Sequence, residues 1–295
     1  MIRRSRPKYL LYEDIKESKK IKTKINVDFY LDRGCSALKF LLKSLVDFHN
    51  KRMIVCMQSF NCNTVLEASL EVENIKVLLS DVKLEDFSIS LKFIEENKEK
   101  IDILFLLHYQ GKINKEYNEI INFCYKNNII VIEDLAHVPE SKHVLRGDYG
   151  IYSYSFDKPF TCHSGGKIIV KNKKTTIFKF IQEKYIALDY ENYDKSNYDI
   201  KLLDYLFTFS SISHFFNDID NMIIVEKLLR IFSITITYRI LNNKILRLSL
   251  KVIFKIYFKF FKNYKNKQYP VLRLLDAKIY LLEKQSNRFL NEFEK

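Results

Sequence analysis

Residues 101–109 have the sequence IDILFLLHY, and this stretch decides the fold class of the chain. An almost uninterrupted apolar run of this length is typical of a strand that is buried on both faces of a parallel sheet. Residues 129–133, IIVIE, form a second run of the same kind, and a helical pattern at residues 115–126 lies between the two. Strands that alternate with helices of this length predict βαβ units, and therefore an α/β sheet with helices on both faces.

The same alternation continues on both sides of these two strands. The other predicted elements are a helix from Ser36, a strand at 53–57, a helix from about Thr64, a strand at 75–79, a helix at 91–100, strands at 149–155 and 167–171, and a helix at 272–294. Helices and strands therefore alternate along most of the first 171 residues, as an α/β domain requires.

Composition narrows the class of protein. A chain of 295 residues with 47% hydrophobic residues can bury one large core or two modest ones. The five cysteines are scattered and contain no C-x-x-C pair, which favours free thiols in a reducing cytoplasm over disulfides or a zinc site. The first residues lack the apolar segment of a signal peptide, and no apolar run is long enough to span a membrane.

Two polar residues at the end of the second buried strand are candidate site residues. Asp134 ends this strand, and ligands of open α/β sheets bind beyond the carboxyl ends of the strands. Its carboxylate could pair with the pyridinium nitrogen of a cofactor, or it could cap a following helix. His137 could stack on a planar cofactor or simply pack; as a metal ligand it has no third partner at a suitable spacing, so no metal site is predicted.

Residues 152–166, YSYSFDKPFTCHSGG, contain a single lysine, Lys158, between an aromatic strand and a Gly-Gly turn. A lysine in such a loop could offer the nucleophilic amine that imine exchange requires. Ser153 offers a hydroxyl group, and residues 34–36 offer backbone N–H groups at the start of a helix. Both kinds of donor suit a phosphate group.

Several segments, in order, resemble the DegT/DnrJ/StrS family of pyridoxal-phosphate sugar aminotransferases. RGCSALKFLL resembles the family's G-T-x-A-L phosphate segment, SFNCNTVLEASL resembles the segment after its second strand, and HYQGKIN resembles H-x-Y-G-x. VIEDLAH resembles I-E-D-x-A-Q/H, and GDYGIYSYSFDKPFTCHSGGKIIV resembles G-D-x-G-x-F-S-F…K…G-G. The resemblance covers about residues 26–190, and the spacings around the lysine also match.

The resemblance implies the large domain of an aspartate-aminotransferase-like protein (pyridoxal-phosphate fold type I), with a mixed, mainly parallel sheet, in a homodimer. Lys158 would be the Schiff-base lysine and the general acid and base, Asp134 would pair with the pyridine nitrogen, and His137 would stack over the ring. The residues that would hold the phosphate are Ser153 and the turn formed by Gly34, Cys35, Ser36 and Ala37. Lysine at position 158, where dehydrating relatives have histidine, favours transamination.

The implied function is a cytoplasmic aminotransferase that uses pyridoxal phosphate and an amino acid donor, glutamate. Its substrate would be a nucleotide-linked keto sugar in surface polysaccharide or amino-sugar biosynthesis. Three departures leave an alternative open, a catalytically impaired relative with a binding or scaffold role. Cys35 replaces the family threonine, Pro270 replaces an arginine, and the family's small C-terminal domain is expected to be missing.

We predict four segments: an arm at 1–25, the cofactor-binding domain at 26–198, a basic helical insert at 199–268, and a helix at 269–295 that resembles the start of the small domain. Between Glu226 and Asp276 there are twelve Lys and Arg residues and no acidic residue. Residues 244–262 have the spacing of a basic amphipathic helix, which could lie on the anionic inner face of a membrane or pack on the protein. No nucleic-acid partner is expected, because no recognition motif accompanies the charge.

Overall fold

The computed structural model describes residues 15, 17, 18, 29–139, 145–155, 158–190, 200, 274 and 276–293. Apart from a few single residues, the arm predicted at 1–25 and the insert predicted at 199–268 lie outside the described residues. The same holds for the amphipathic helix predicted at 244–262 and for Pro270. Within the described ranges, no helix combines the length and the hydropathy needed to cross a bilayer.

Seven strands form one sheet in the part of the chain that the structure describes. They are β1 (Phe29–Leu31), β2 (Met53–Gln58), β3 (Ile75–Ser80), β4 (Ile103–Leu107), β5 (Ile130–Asp134), β6 (Tyr149–Ser153) and β7 (Gly166–Val170). Their order across the sheet is β1-β7-β6-β5-β4-β2-β3. Strand β7 runs antiparallel to both of its neighbours, and every other pairing is parallel. The predicted mixed, mainly parallel α/β sheet is confirmed.

Helices accompany the strands in the described part of the chain. They are α1 (Gly34–His49), α2 (Asn63–Leu70), α3 (Leu91–Asn97), α4 (Tyr117–Lys126), α5 (Thr176–Ile186) and α6 (Asp276–Phe293). Helices α3 and α5 begin where a side-chain oxygen caps them: Ser90 accepts from the Phe93 N–H (3.2 Å), and Thr175 accepts from the Phe178 N–H (3.3 Å).

The two apolar runs lie in the middle of the sheet because both of its faces are covered. Ile103 and Phe105 of β4 belong to the same buried cluster as the apolar face of α1. Leu104 and Leu106 belong to a second cluster, which contains Ile120 of α4. Successive side chains of a strand point to opposite faces, so a central strand between two helical layers needs apolar residues at every position.

The ends of the predicted strand at 101–109 differ from the observed β4. Asp102 lies before the strand, where one carboxylate oxygen accepts the Ile54 N–H (2.8 Å). His108 lies after it, where its N–H donates to the Asp134 carbonyl group (3.3 Å). Strand β1 and helix α5 are absent from the sequence prediction; β1 has three residues, too few to show a periodicity.

Candidate active site

A cavity of about 570 Å³ opens where β4, β5 and β6 end, and Leu107, Asp134 and Ser153 line it. This is the position at which open α/β sheets bind ligands. The predicted site residues that line it are Gly34, Cys35, Asp134, His137, Ser153 and Lys158. Ser36 and Ala37 are the next residues of α1 and are buried. The structure therefore brings the predicted residues together.

Asp134 is the last residue of β5, and its side chain is buried. Its Oδ1 accepts a hydrogen bond from the Ala136 N–H (3.0 Å). Residues 136–138 form a turn, closed by the Val138 N–H on the Leu135 carbonyl (3.0 Å), so Asp134 does not cap a helix. Burial raises the pKa of Asp134, and the Ala136 N–H only partly offsets this. A cationic group beside the carboxylate would lower its pKa again.

His137 lies in the turn after β5 and contacts the turn after β4. Its Nδ1 accepts from the Gln110 N–H (3.3 Å), and its ring meets the Tyr109 ring edge-on at 6.3 Å between centroids. With Nδ1 as an acceptor, the neutral ring carries its proton on Nε2. Within the described residues, no group of three or more His, Cys, Asp or Glu side chains could hold a metal ion. These contacts hold the His137 ring in one position at the side of the cavity.

Helix α1 begins at the cavity with an uncapped end. The side chain of its N-cap residue, Arg33, makes no capping hydrogen bond, and its first turn contains no acidic residue. The Ala37 N–H donates to the Arg33 carbonyl (3.0 Å) and closes the first helical turn. Residues 34–36 therefore supply the N–H groups that helix geometry leaves without a helical acceptor, at the positive end of the helix dipole.

The start of α1 touches the strand ends so closely that only glycine fits. A Cβ atom on Gly34 would lie 2.8 Å from Ser153 Cβ and 3.0 Å from Ser153 Oγ. Gly166 pairs with Ser153 across β6 and β7, and a Cβ atom on Gly166 would lie 2.3 Å from the Arg33 carbonyl oxygen. The two glycines therefore bring the helix N-terminus and the Ser153 hydroxyl into one small volume, which suits a phosphate group.

Lys158 is partly buried and lines the same cavity as Asp134. Its backbone N–H donates to the Ser155 carbonyl (3.1 Å). The positive charge of Lys158 opposes the rise in the pKa of Asp134 that burial causes, so the two side chains interact electrostatically. A carboxylate, an amine and a set of anion-binding N–H groups thus face one cavity.

Sequence reasoning missed a buried polar cluster beside the site. His108 Nε2 lies 2.9 Å from Glu133 Oε2, and Glu133 Oε1 also accepts from the Tyr117 hydroxyl (2.7 Å) and the Arg146 N–H (2.7 Å). Glu133 immediately precedes Asp134, and adjacent strand residues face opposite sides of the sheet. The cluster therefore fixes β5 from behind the cavity. The sequence feature that could have revealed this cluster is the polar residue in each apolar run: His108 in residues 101–109 and Glu133 in residues 129–133.

Comparison with known proteins gives the family. A model of the DegT/DnrJ/EryC1/StrS aminotransferase family matches residues 29–196, which is more than half of the chain. The matched range contains every predicted site residue.

Solved structures are similar only in part. The aminotransferase from Psychrobacter cryohalolentis is 19% identical, with a TM-score of 0.45, over 52% of this chain and 39% of that one. Helicobacter pylori PseC, an aminotransferase involved in pseudoaminic acid biosynthesis, is 15% identical, with a TM-score of 0.49. The match covers 59% of this chain and 55% of PseC. NtdA from Bacillus subtilis, with bound PMP, is 18% identical, with a TM-score of 0.49. The match covers 61% of this chain and 45% of NtdA.

The chain spans 39% to 55% of the length of these three structures. Their similarity is too low to transfer a ligand or a substrate. The family match is independent of them, and it covers the sheet and the cavity described above. The chain belongs to the DegT/DnrJ/EryC1/StrS aminotransferase family.

Proposed function

We propose that this chain binds pyridoxal phosphate and transfers an amino group to a nucleotide-linked keto sugar in amino-sugar or surface polysaccharide biosynthesis. One observation carries the proposal: Lys158, Asp134, His137 and the uncapped start of α1 line a single cavity at the carboxyl ends of the strands. Membership of an aminotransferase family supports this class of reaction.

The residues of the cavity suit the three parts of this cofactor. The N–H groups of residues 34–36 and the Ser153 hydroxyl would bind the phosphate. Asp134 would pair with the pyridine nitrogen, because a buried carboxylate with a raised pKa gains most from a cationic partner. His137, held by the Gln110 N–H, would cover one face of the ring.

Bound pyridoxal phosphate supplies an electron sink and carries the amino group between the two substrates. Lys158 would anchor the cofactor covalently through Nζ, and its free amine would take up and return a proton in the cavity. Asp134 would hold a proton on the pyridine nitrogen by remaining ionised beside it. The buried walls of the cavity would exclude water from these groups.

The proposal is tested by adding pyridoxal phosphate to the purified chain and recording the visible absorbance of lysine-bound cofactor. We expect the band in the wild type, its loss in Lys158→Ala, and its retention in Lys92→Ala, a control lysine whose side chain is 82% exposed. A panel of nucleotide-linked keto sugars with glutamate as the donor then tests turnover. Folded wild-type protein without the band would contradict the proposal; a band without turnover on any sugar would favour the binding role.

Other parts of the proposal rest on the sequence. They are the limits of the cofactor-binding domain at 26–198, the homodimer, glutamate as the donor, the cytoplasmic location and the contact of residues 244–262 with an anionic membrane. Flotation with anionic and neutral vesicles tests the last of these, because electrostatic binding requires anionic lipid and weakens with salt.

A further inference from the structure

Three aromatic side chains form an exposed cluster at the mouth of the cavity. Phe60, Phe87 and Tyr109 lie with ring centroids 5.0 to 5.4 Å apart. Phe60 and Tyr109 also line the cavity, while Phe60 remains 48% exposed and Phe87 remains 37% exposed. We call these three residues the aromatic rim. Exposed apolar groups that adjoin a cavity mark binding surfaces more often than single exposed residues do.

The backbone at Phe87 is held in an unfavourable conformation by a buried side chain. Its φ is 56°, in the left-handed region that bulky residues rarely adopt. The Phe87 carbonyl accepts from Gln58 Nε2 (2.9 Å), and Gln58 Oε1 accepts from the Leu107 N–H (2.9 Å). Gln58 is buried at the end of β2. One amide therefore ties Phe87 to the ends of two central strands.

The loop that carries Phe87 is also closed on itself. The Phe87 N–H donates to the Lys83 carbonyl (2.8 Å), and the Lys83 N–H donates to the Ser88 carbonyl (2.9 Å). The Lys83 ammonium pairs with Glu116 at 2.6 Å. A strained residue that its surroundings hold in place is typical of a functional site, and here the restraint presents a half-exposed ring to the cavity mouth.

We propose that the aromatic rim is the stacking surface for the nucleobase of the substrate, an inference that rests on the nucleotide-linked substrate proposed above. The reacting carbon of the sugar must reach Lys158, so the opposite end of the substrate must extend toward the mouth. Tyr109 contacts the His137 ring, which is predicted to cover the cofactor, and it also contacts the two phenylalanines. The Tyr109 ring therefore lies between His137 and the rest of the rim. A nucleobase is a flat ring that stacks on aromatic side chains.

A polar group beside the rim suits the same ligand. Asn61 lines the cavity next to Phe60, and its Nδ2 is buried without an acceptor in the part of the chain that the structure describes. A buried amide N–H is costly when it is unpaired, so a ligand oxygen at this place would be favoured. Carbonyl oxygens of a base or oxygens of a diphosphate both fit this role.

The test measures the binding of UDP, TDP and GDP to the cofactor-loaded chain by calorimetry. Phe60→Leu and Phe87→Leu keep an apolar side chain but lose the ring face, and we expect the Kd of the best nucleotide to rise roughly five- to a hundredfold. Phe87→Tyr keeps the ring and should bind within about twofold of the wild type. The matched control is Tyr125→Leu, which removes an aromatic ring that is 84% exposed at the end of α4.

The cofactor band separates failure of this inference from failure of the proposed function. An intact band with an unchanged nucleotide Kd in both leucine variants would overturn the rim and leave the proposed function standing. An intact band without nucleotide binding by the wild type would also overturn the inference that the rim binds the nucleobase. So would a change in sedimentation without a change in Kd, since the rim would then cover a protein partner.

Discussion

At the edge where the parallel strands begin, the non-glycine residues with a left-handed backbone are asparagines. At the edge where the strands end, they include a phenylalanine and a glutamine, which rarely adopt that conformation. The first set precedes β2, β3 and β5 and consists of Asn50, Asn74 and Asn128, with φ of 46°, 66° and 56°. Asparagine tolerates this region because its short side chain bonds locally. These turns need little support from the rest of the fold.

The second set lies on the side of the cavity and consists of Phe87, Gln110 and His163, with φ of 56°, 53° and 72°. Phe87 and Gln110 rarely adopt the left-handed region, so tertiary contacts must hold the backbone there, whereas histidine, like asparagine, adopts it more often. Gln58 holds Phe87, and the Gln110 N–H donates to His137 at the wall of the cavity. Near the candidate site, the backbone conformation of Phe87 and Gln110 therefore does not follow the local preference of their side chains.

The aspartates at the two edges also differ, in the partners that surround their carboxylates. At the starting edge, Asp102 accepts from the Ile54 N–H and pairs with Lys51 (2.5 Å), and Asp148 accepts from the Val131 N–H (2.9 Å). Asp134, at the ending edge, is buried with a raised pKa. Two carboxylates stabilise the sheet, whereas the third lines the cavity, where the proposed function assigns it a ligand.

The largest expected effect is that of Asp134→Asn. An amide cannot stabilise a proton on the pyridine nitrogen, so we expect transaminase activity to fall by about a hundred- to a thousandfold, the range measured when a preorganised electrostatic contact is removed. The control, Asp102→Asn, should keep full activity and lose about 1 kcal/mol in the free energy of unfolding, because the ion pair with Lys51 is lost and the hydrogen bond from the Ile54 N–H loses its charge. Equal losses of activity in the two variants would remove the distinction between the edges.

The next effect is that of Gly34→Ala. Its Cβ would meet Ser153 Cβ at 2.8 Å, and neither the helix start nor the strand end can move freely. We expect a loss of about 1–3 kcal/mol in the free energy of unfolding, together with weaker cofactor retention in dialysis. The control is Gly150→Ala, whose Cβ would meet the Leu135 Cδ1 atom at 2.8 Å. A leucine terminus can rotate away, so cofactor retention should not change.

Much of the fold was predictable because its signals are local. The apolar run that became β4 and the run that became β5 require a sheet covered on both faces, and Asp134 had to lie at a strand end. Lys158 was predicted from its motif, and the structure places it at the wall of the cavity.

What the sequence did not show depends on distant partners. The end of β5 was compatible with a helix cap, but the Leu135 N–H donates to the Ile151 carbonyl (2.8 Å), so the chain stays beside β6 instead of beginning a helix. The conformation of Phe87 depends on Gln58, which is 29 residues away. No periodicity or spacing encodes a bond of that kind.

The smallest expected effect comes from exchanging residues between the edges. Asn128→Gln should lower the free energy of unfolding by about 1 kcal/mol, because glutamine tolerates the left-handed region less well than asparagine. Gln110→Asn should raise the free energy of unfolding by up to about 1 kcal/mol and leave cofactor binding intact, since the backbone N–H that meets His137 remains. Urea denaturation of the cofactor-free protein measures both changes. If both variants matched the wild type, left-handed preference would not be what separates the two edges, and the strain at Phe87 would lose its significance for the site.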